Sequence, residues 1–236
     1  VTDADLRHLS GLTHLEELDL NGTDVTDEGL RHLQQLKLTC LCLNRLPVTD
    51  AGLEHLLRIP TLRGVWLDET QVTDQGITHL SQLPLLFAVS LSGTRVTDDG
   101  IASLANVKGL MQLWLADTQV TDRGLSQLTG LSCLRGLVLS NTQVTGAGMQ
   151  HLAAFSGMER LNLSNLAITD DDLPTLRQLP SLRELTLDQT EISDSGLPTL
   201  VTLPVGCGIR MRHTAVNDKA IRILGKAHQD HGMRTW

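Results

Sequence analysis

Leucines in this chain follow two rhythms that alternate on a fixed schedule. In Leu15-Glu16-Glu17-Leu18-Asp19-Leu20-Asn21-Gly22-Thr23 the leucines at 18 and 20 alternate with polar residues. That is the period of a short strand with one buried face. Beyond it, Leu30, Leu33 and Leu36 recur at every third residue, the apolar stripe of a short helix. Thr26 is placed to cap that helix, and Asp27 and Glu28 put negative charge in its first turn. The spacing predicts a unit of strand, turn, helix, turn.

The unit then recurs. Val-Thr-Asp opens it at Val1, Val25, Val48, Val72, Val96 and Val120, with looser copies at Val144, Ile168, Ile192 and Val216. Starts are 24 residues apart, except for a step of 23 from Val25 to Val48. A fixed period of this size marks a stack of equal supersecondary units. One unit cannot bury its own leucines, so neighbours bury them jointly in a continuous core. Parallel strands pair about 4.8 Å apart, whereas helix axes need roughly 8–10 Å. The mismatch bends the stack, with strands on the concave side and helices on the convex side.

The pattern LxxLxLxxT followed by VTDxGLxxLxxL resembles the leucine-rich repeat family along essentially the whole chain. It is most similar to the cysteine-containing type of F-box ubiquitin ligase receptors and to bacterial repeat proteins with a TDxGL phrase. The resemblance implies an α/β, right-handed solenoid with a parallel sheet on the concave face. Residues 1–215 would form nine repeats, and residues 216–236 a closing unit with Met233 and Trp236 over the last core layer. The family places Asn or Cys after the strand, where this chain has Thr23, Thr70, Thr94, Thr118, Thr142, Thr190 and Thr214. Its side chain there satisfies backbone groups of the turn. Leu46 and Leu166 break that ladder, so distortion or an ordered water is expected at those two turns. The first unit begins without a strand before it, so a bare stacking face and further chain upstream are expected.

Function is expected where the repeat varies. Residues flanking the two strand leucines face the concave side. The central column there runs Asp19, Cys42, Trp66, Ser90, Trp114, Val138, Asn162, Thr186, Arg210. Trp66 and Trp114 are two strands apart, about 10 Å, with only Ala88, Ser90 and Ser92 between them. The indoles either wall a slot for one partner side chain or fold flat over the small residues. Charge is also segregated along the arc. Glu17 and Asp19 lie at one end and Arg210, Arg212 and His213 at the other, so either a polar partner is oriented or the charge is ordinary solvated surface. The expected contact set is Trp66, Trp114, Ala88, Ser90, Asp19, Cys42, Asp68, Arg160, Arg210 and Arg212.

Composition narrows the chemistry. With two Phe, three Trp and no Tyr the core must be aliphatic. A net charge of -8 without a basic run argues against nucleic acid as a partner, and no apolar run is long enough to span a membrane. Cys40, Cys42, Cys133 and Cys207 fit neither a disulfide framework nor a zinc site, which points to free thiols and a cytoplasmic location. Histidines recur at His8, His32, His55, His79 and His151, but on separate helices and without converging ligands, so no metal or other cofactor is expected. The recurring glycines (Gly29, Gly52, Gly76 and their equivalents) have the wrong spacing for a phosphate cradle, and Asp5 and Asp172 replace two of them. Close helix packing is the simpler account. No nucleophile elbow, P-loop, CxxC or HExxH occurs, and carboxylates beside Cys42 work against an activated thiolate. The expected function is a non-enzymatic module that binds a protein or peptide on the concave face. The alternatives are the substrate-recognition part of a ubiquitin ligase receptor or bacterial effector, and a structural protein that associates end to end through its first repeat.

Overall fold

A computed structural model describes residues 1–217. Nine three-residue strands form one parallel sheet in chain order. They are β1 (Glu17–Asp19), β2 (Cys40–Cys42), β3 (Gly64–Trp66), β4 (Ala88–Ser90), β5 (Gln112–Trp114), β6 (Gly136–Val138), β7 (Arg160–Asn162), β8 (Glu184–Thr186) and β9 (Gly208–Arg210). Each step keeps the register of the repeat, for example Trp66 opposite Ser90 and Ser90 opposite Trp114. The inner leucines and valines of β2 to β8 and Ile209 of β9 are buried, as are most helix leucines, in one core running the length of the stack that is aliphatic apart from Phe155, Met149, Met158, Met211 and Cys207. In the first unit, Leu9, Leu15 and Leu18 are only partly covered and Leu12 is 50% exposed. Their layer has a neighbour on one side only. Of the expected closing unit, Val216 and Asn217 fall within the described residues; Met233 and Trp236 lie outside them.

Every Thr of the Val-Thr-Asp phrase stands in extended conformation just before its helix. Thr26, Thr49, Thr73, Thr97 and Thr121 accept a hydrogen bond on their side chain from the N–H two residues on. This is the capping geometry expected from the sequence. The helices Asp50–Leu56, Asp74–Leu80, Asp98–Leu104 and Asp122–Gln127 are α-helical. Those at Gly146–Ala154 and Asp170–Gln178 are 3-10 throughout. Gly146 and Gly148 weaken the first as an α-helix. Pro174 opposes the second, because its ring would meet the carbonyl four residues earlier.

The aspartate of each phrase works between units rather than within its own helix. Asp74 accepts from the Thr97 N–H at 2.7 Å and the Thr97 hydroxyl at 2.6 Å. Asp98 does the same for Thr121 at 2.8 and 2.6 Å, and Asp3, Asp27, Asp50, Asp122 and Asp170 repeat the pattern. The staple explains the recurring glycine. A Cβ on Gly52, Gly100 or Gly124 would lie 2.3–2.5 Å from a carboxylate oxygen of the preceding unit's aspartate. Helix packing alone is therefore too coarse an account, since these glycines make room for a specific carboxylate.

The turn after each strand puts one residue in the left-handed region, including Arg45 (φ 61), Glu69 (φ 56) and Asn165 (φ 55). The next residue is the ladder threonine, whose hydroxyl donates to the carbonyl three residues back, as Thr94 does to Leu91 at 2.6 Å. The turns ahead of Leu46 and Leu166 keep the same left-handed residue, and Leu46 N–H still reaches the Leu43 carbonyl at 3.3 Å. The Leu46 turn is therefore built like its neighbours, whereas the Leu166 turn carries a bond the others lack, from Ile168 N–H to the Leu166 carbonyl at 2.9 Å. The left-handed residue sets the turn, and both leucines are buried in the apolar layer instead.

Candidate functional site

The register of the sheet sets two columns on the face turned away from the helices, a first that includes Gln112, Gly136 and Arg160 and the central one read from the sequence; a third, beginning Asn21, Asn44 and Asp68, follows just beyond the strands. Trp66 and Trp114 stand in the central column with Ser90 between them. The slot expected between them is closed at its floor. Ala88 is 4% exposed and Ser90 3%, and the Ser90 hydroxyl donates to Asp68. The Trp66 ring lies along its own strand, with its six-membered part where a Cβ on Gly64 would be, 2.5 Å away. Of the two alternatives left by the sequence, Trp66 takes the flat one, over Gly64 rather than over the serines. Gly64→Ala should dislodge it. The expected result is a red-shifted, more quenchable Trp emission at nearly unchanged helicity, read by fluorescence and circular dichroism.

The open space lies on the other flank of Trp114. A hollow of about 180 Å³ is lined by Gln112, Trp114, Gly136, Val138, Arg160 and Glu184, among others. Gly136 bears no side chain on β6, and the Gln112 amide takes that place and forms part of the wall. A second hollow, bounded by Thr186, Gly208 and Arg210, shares Glu184 and Thr186 with the first. Together they trace a groove from Trp114 to Arg210 across β5 to β9.

The charged candidates are largely engaged with each other. Asp188 accepts from Arg210 Nε at 2.6 Å and from the Arg212 N–H at 2.7 Å. Arg160 faces Glu184 at 3.6 Å, with both side chains well exposed. Asp68 accepts from the Ser92 N–H at 2.9 Å as well as from Ser90, and Asp19 from the Asn21 N–H at 2.9 Å. The expected positive end is therefore smaller than the sequence suggests, because Arg210 is matched by Asp188. Arg212 and His213 are exposed, and His213 occupies the left-handed turn position at φ 56. The column after the centre is partly structural, since Asn21 and Asn44 side chains each accept the N–H of the next unit at 2.7 and 2.8 Å.

Cys40 and Cys42 are free and half-buried on β2. Burial, then the neighbouring Cys40 thiol and Asp19, push the Cys42 thiol up to about 12. Burial likewise raises Cys40, and takes Cys207 to about 12. These thiols stay protonated at neutral pH and are poor nucleophiles. Among the described residues no three His, Cys, Asp or Glu side chains are grouped to hold a metal ion, and no helix is long and apolar enough to cross a membrane.

Two features escaped the sequence reading. One is the hollow, which depends on which way each indole leans. The other is the exposure of Leu85 (48%) and Phe87 (40%) just before β4. A partial signal for the latter existed: Thr61, Gly109, Gly157 and Ser181 stand at the position of Leu85 in other units, although Cys133 and the exposed Val205 stand there too.

Residues 11–33 match the family model described as Leucine Rich repeat. No curated protein matches the chain significantly. Among solved structures, internalin C2 from Listeria monocytogenes is similar at 23% identity and a TM-score of 0.65, covering 99% of this chain and 91% of that one. A second internalin of the same organism, InlF, is similar at 20% identity and a TM-score of 0.61, covering 96% and 81%. The repeat, the nine-stranded parallel sheet and these likenesses agree: the fold is that of a leucine-rich repeat solenoid.

Proposed function

We propose that this chain is a non-enzymatic interaction module that binds a protein or peptide on its concave face, in the groove that begins at Trp114. The observation that carries this reading is the hollow between Trp114 and the Arg160–Glu184 pair, open beside a half-buried indole. An indole at the edge of a concavity is a typical anchor, because it contributes large apolar area with little conformational entropy to lose. The Arg160–Glu184 pair is well exposed and supplies polar contacts at the margin, where charge contributes more to selectivity than to affinity. The raised Cys40, Cys42 and Cys207 thiols argue for binding rather than covalent chemistry, and the free cysteines fit a reducing, cytoplasmic setting.

A photo-crosslinking comparison tests this. p-Benzoylphenylalanine in place of Val138, which lines the hollow, is expected to capture a discrete partner. The same residue in place of exposed Gln150, on the helix side, is expected to capture none. Equal capture from both positions, or capture from Gln150 alone, overturns the concave-face reading.

A further inference from the structure

Cys40 and Cys42 are two thiols that one strand sets side by side. They flank buried Leu41 on β2 and so stand on the same, concave side, each half-buried. They are near enough to interact directly, thiol with thiol. Cys133 precedes β6 and Cys207 precedes β9, away from this pair and from each other.

The strand keeps the two sulfurs close without letting them join. Same-side positions on a strand are about 6.6 Å apart at 3.3 Å per residue. Both Cβ atoms leave the strand in one direction, so their separation stays near that value. A disulfide draws its Cβ atoms to about 3.5–4.5 Å, and β2 would have to buckle to allow it. It is held on both edges, by Glu17 to Asp19 on one side and Gly64 to Trp66 on the other. The sulfurs can turn toward each other, which leaves room between them for a single bridging ion.

The adjoining strands complete the surroundings. On β3, Gly64 stands opposite Cys40 and Trp66 opposite Cys42. The Trp66 ring lies over Gly64, so the indole runs alongside both thiols and shields them on that side. On β1, Glu17 and Asp19 stand opposite the same two cysteines. These exposed carboxylates draw a cation toward the pair. Being solvated, they oppose the one negative charge of a two-thiolate complex only weakly.

Ligand number then selects the ion. Zinc takes four ligands in a structural site, and calcium takes six to eight oxygens. Among the described residues no three His, Cys, Asp or Glu side chains are grouped for such an ion. Soft sulfur ligands select Cu(I), for which two sulfurs suffice. We infer that Cys40 and Cys42 bind one Cu(I) ion between their sulfurs, beside the Trp66 indole. The ion displaces one proton from each thiol to solvent. Two copper–sulfur bonds form and no electron moves, so the ion remains Cu(I). The site lies on β1 to β3, away from the groove at Trp114, and does not depend on it.

The test is transfer of Cu(I) from its coloured bicinchoninate complex to the whole reduced protein without oxygen. Tryptophan emission is followed in parallel. One equivalent of Cu(I) is expected to leave the chelator, with partial quenching of the emission. Cys40→Ser and Cys42→Ser should each abolish the transfer, and Cys133→Ser should leave it unchanged. Trp66→Phe should keep the transfer and lose most of the quenching. Melting curves check folding, and Cys40→Ala and Cys42→Ala repeat the reading where serine lowers the melting temperature. Absence of transfer overturns the proposal, as does transfer that survives loss of either cysteine. So does equal loss in Cys133→Ser, or equal uptake of Zn(II) from a coloured chelator, which would mean further ligands.

Discussion

Asp98→Gly and Gly124→Asp are each expected to destabilise the protein by about 2–4 kcal/mol, and the double variant to recover most of the loss. Asp98 is 8% exposed and accepts from both the N–H and the hydroxyl of Thr121. Removing it leaves two donors unpaired; hydrogen bonds to a charged acceptor contribute about 1.5–3 kcal/mol, and a glycine in a helix first turn adds a fraction more. Gly124→Asp fails for a different reason. Its Cβ would lie 2.4 Å from Asp98 Oδ1 and 2.9 Å from Val120 Cγ1, and it would set two carboxylates against each other. Combined, the faults cancel, because the new carboxylate can cap Thr121 within its own unit. The chain already contains this arrangement. Gly146 stands where other units have the aspartate, and Asp172 stands where the next unit would have glycine. Asp172 accepts from the Thr169 N–H at 2.7 Å and from its hydroxyl at 3.1 Å. Urea unfolding of the three variants should give a coupling energy of at least about 2 kcal/mol. Simple additivity of the two losses would refute the staple as the reason for the glycine.

That exchange shows what the sequence could and could not disclose. The strand register, the Thr caps and the aliphatic core were legible because each unit obeys the same local rules of period and capping, applied nine times. The Asp-to-Thr staple was not, because it links residues 22 or 23 apart, and a reading of one unit assigns the aspartate to its own helix. Its trace was present in the paired exceptions Gly146 and Asp172, each of which looks like a defect until set beside the other. At Leu46 the opposite holds: the turn keeps its form without the hydroxyl, because the preceding left-handed residue carries it.

The inner face was legible as columns but not as a surface. Register placed Trp66 and Trp114 two strands apart, as the repeat required. Side-chain direction then decided the outcome. Gly64 offers Trp66 a bed on its own strand, Ser90 turns to Asp68, and the space appears on the far side of Trp114 instead. Ion pairing likewise redistributed the charge, because Asp188, just after β8, and Arg210 of β9 meet only once the sheet has formed.

The two indoles should therefore separate in their effects. Trp114→Ala is expected to weaken binding to the partner captured through Val138 by about 30- to 1000-fold, the 2–4 kcal/mol typical of an aromatic anchor. Its effect on stability should stay within about 1 kcal/mol, since its ring borders open space rather than the core. Trp66→Ala should do the reverse. It uncovers Gly64, costs about 1–2 kcal/mol of stability through lost apolar cover, and changes affinity less than about fivefold. Arg160→Ala should change affinity by less than about 1 kcal/mol, because its pairing with Glu184 is solvent-exposed and weak. Titration calorimetry with each variant, alongside urea unfolding, measures both quantities. A folded Trp114→Ala protein that keeps its affinity within about threefold would remove the anchor, and with it the groove as the binding site. A large affinity loss confined to Trp66→Ala would move the contact toward β1 to β3, where Asp19 and Cys42 continue the same column.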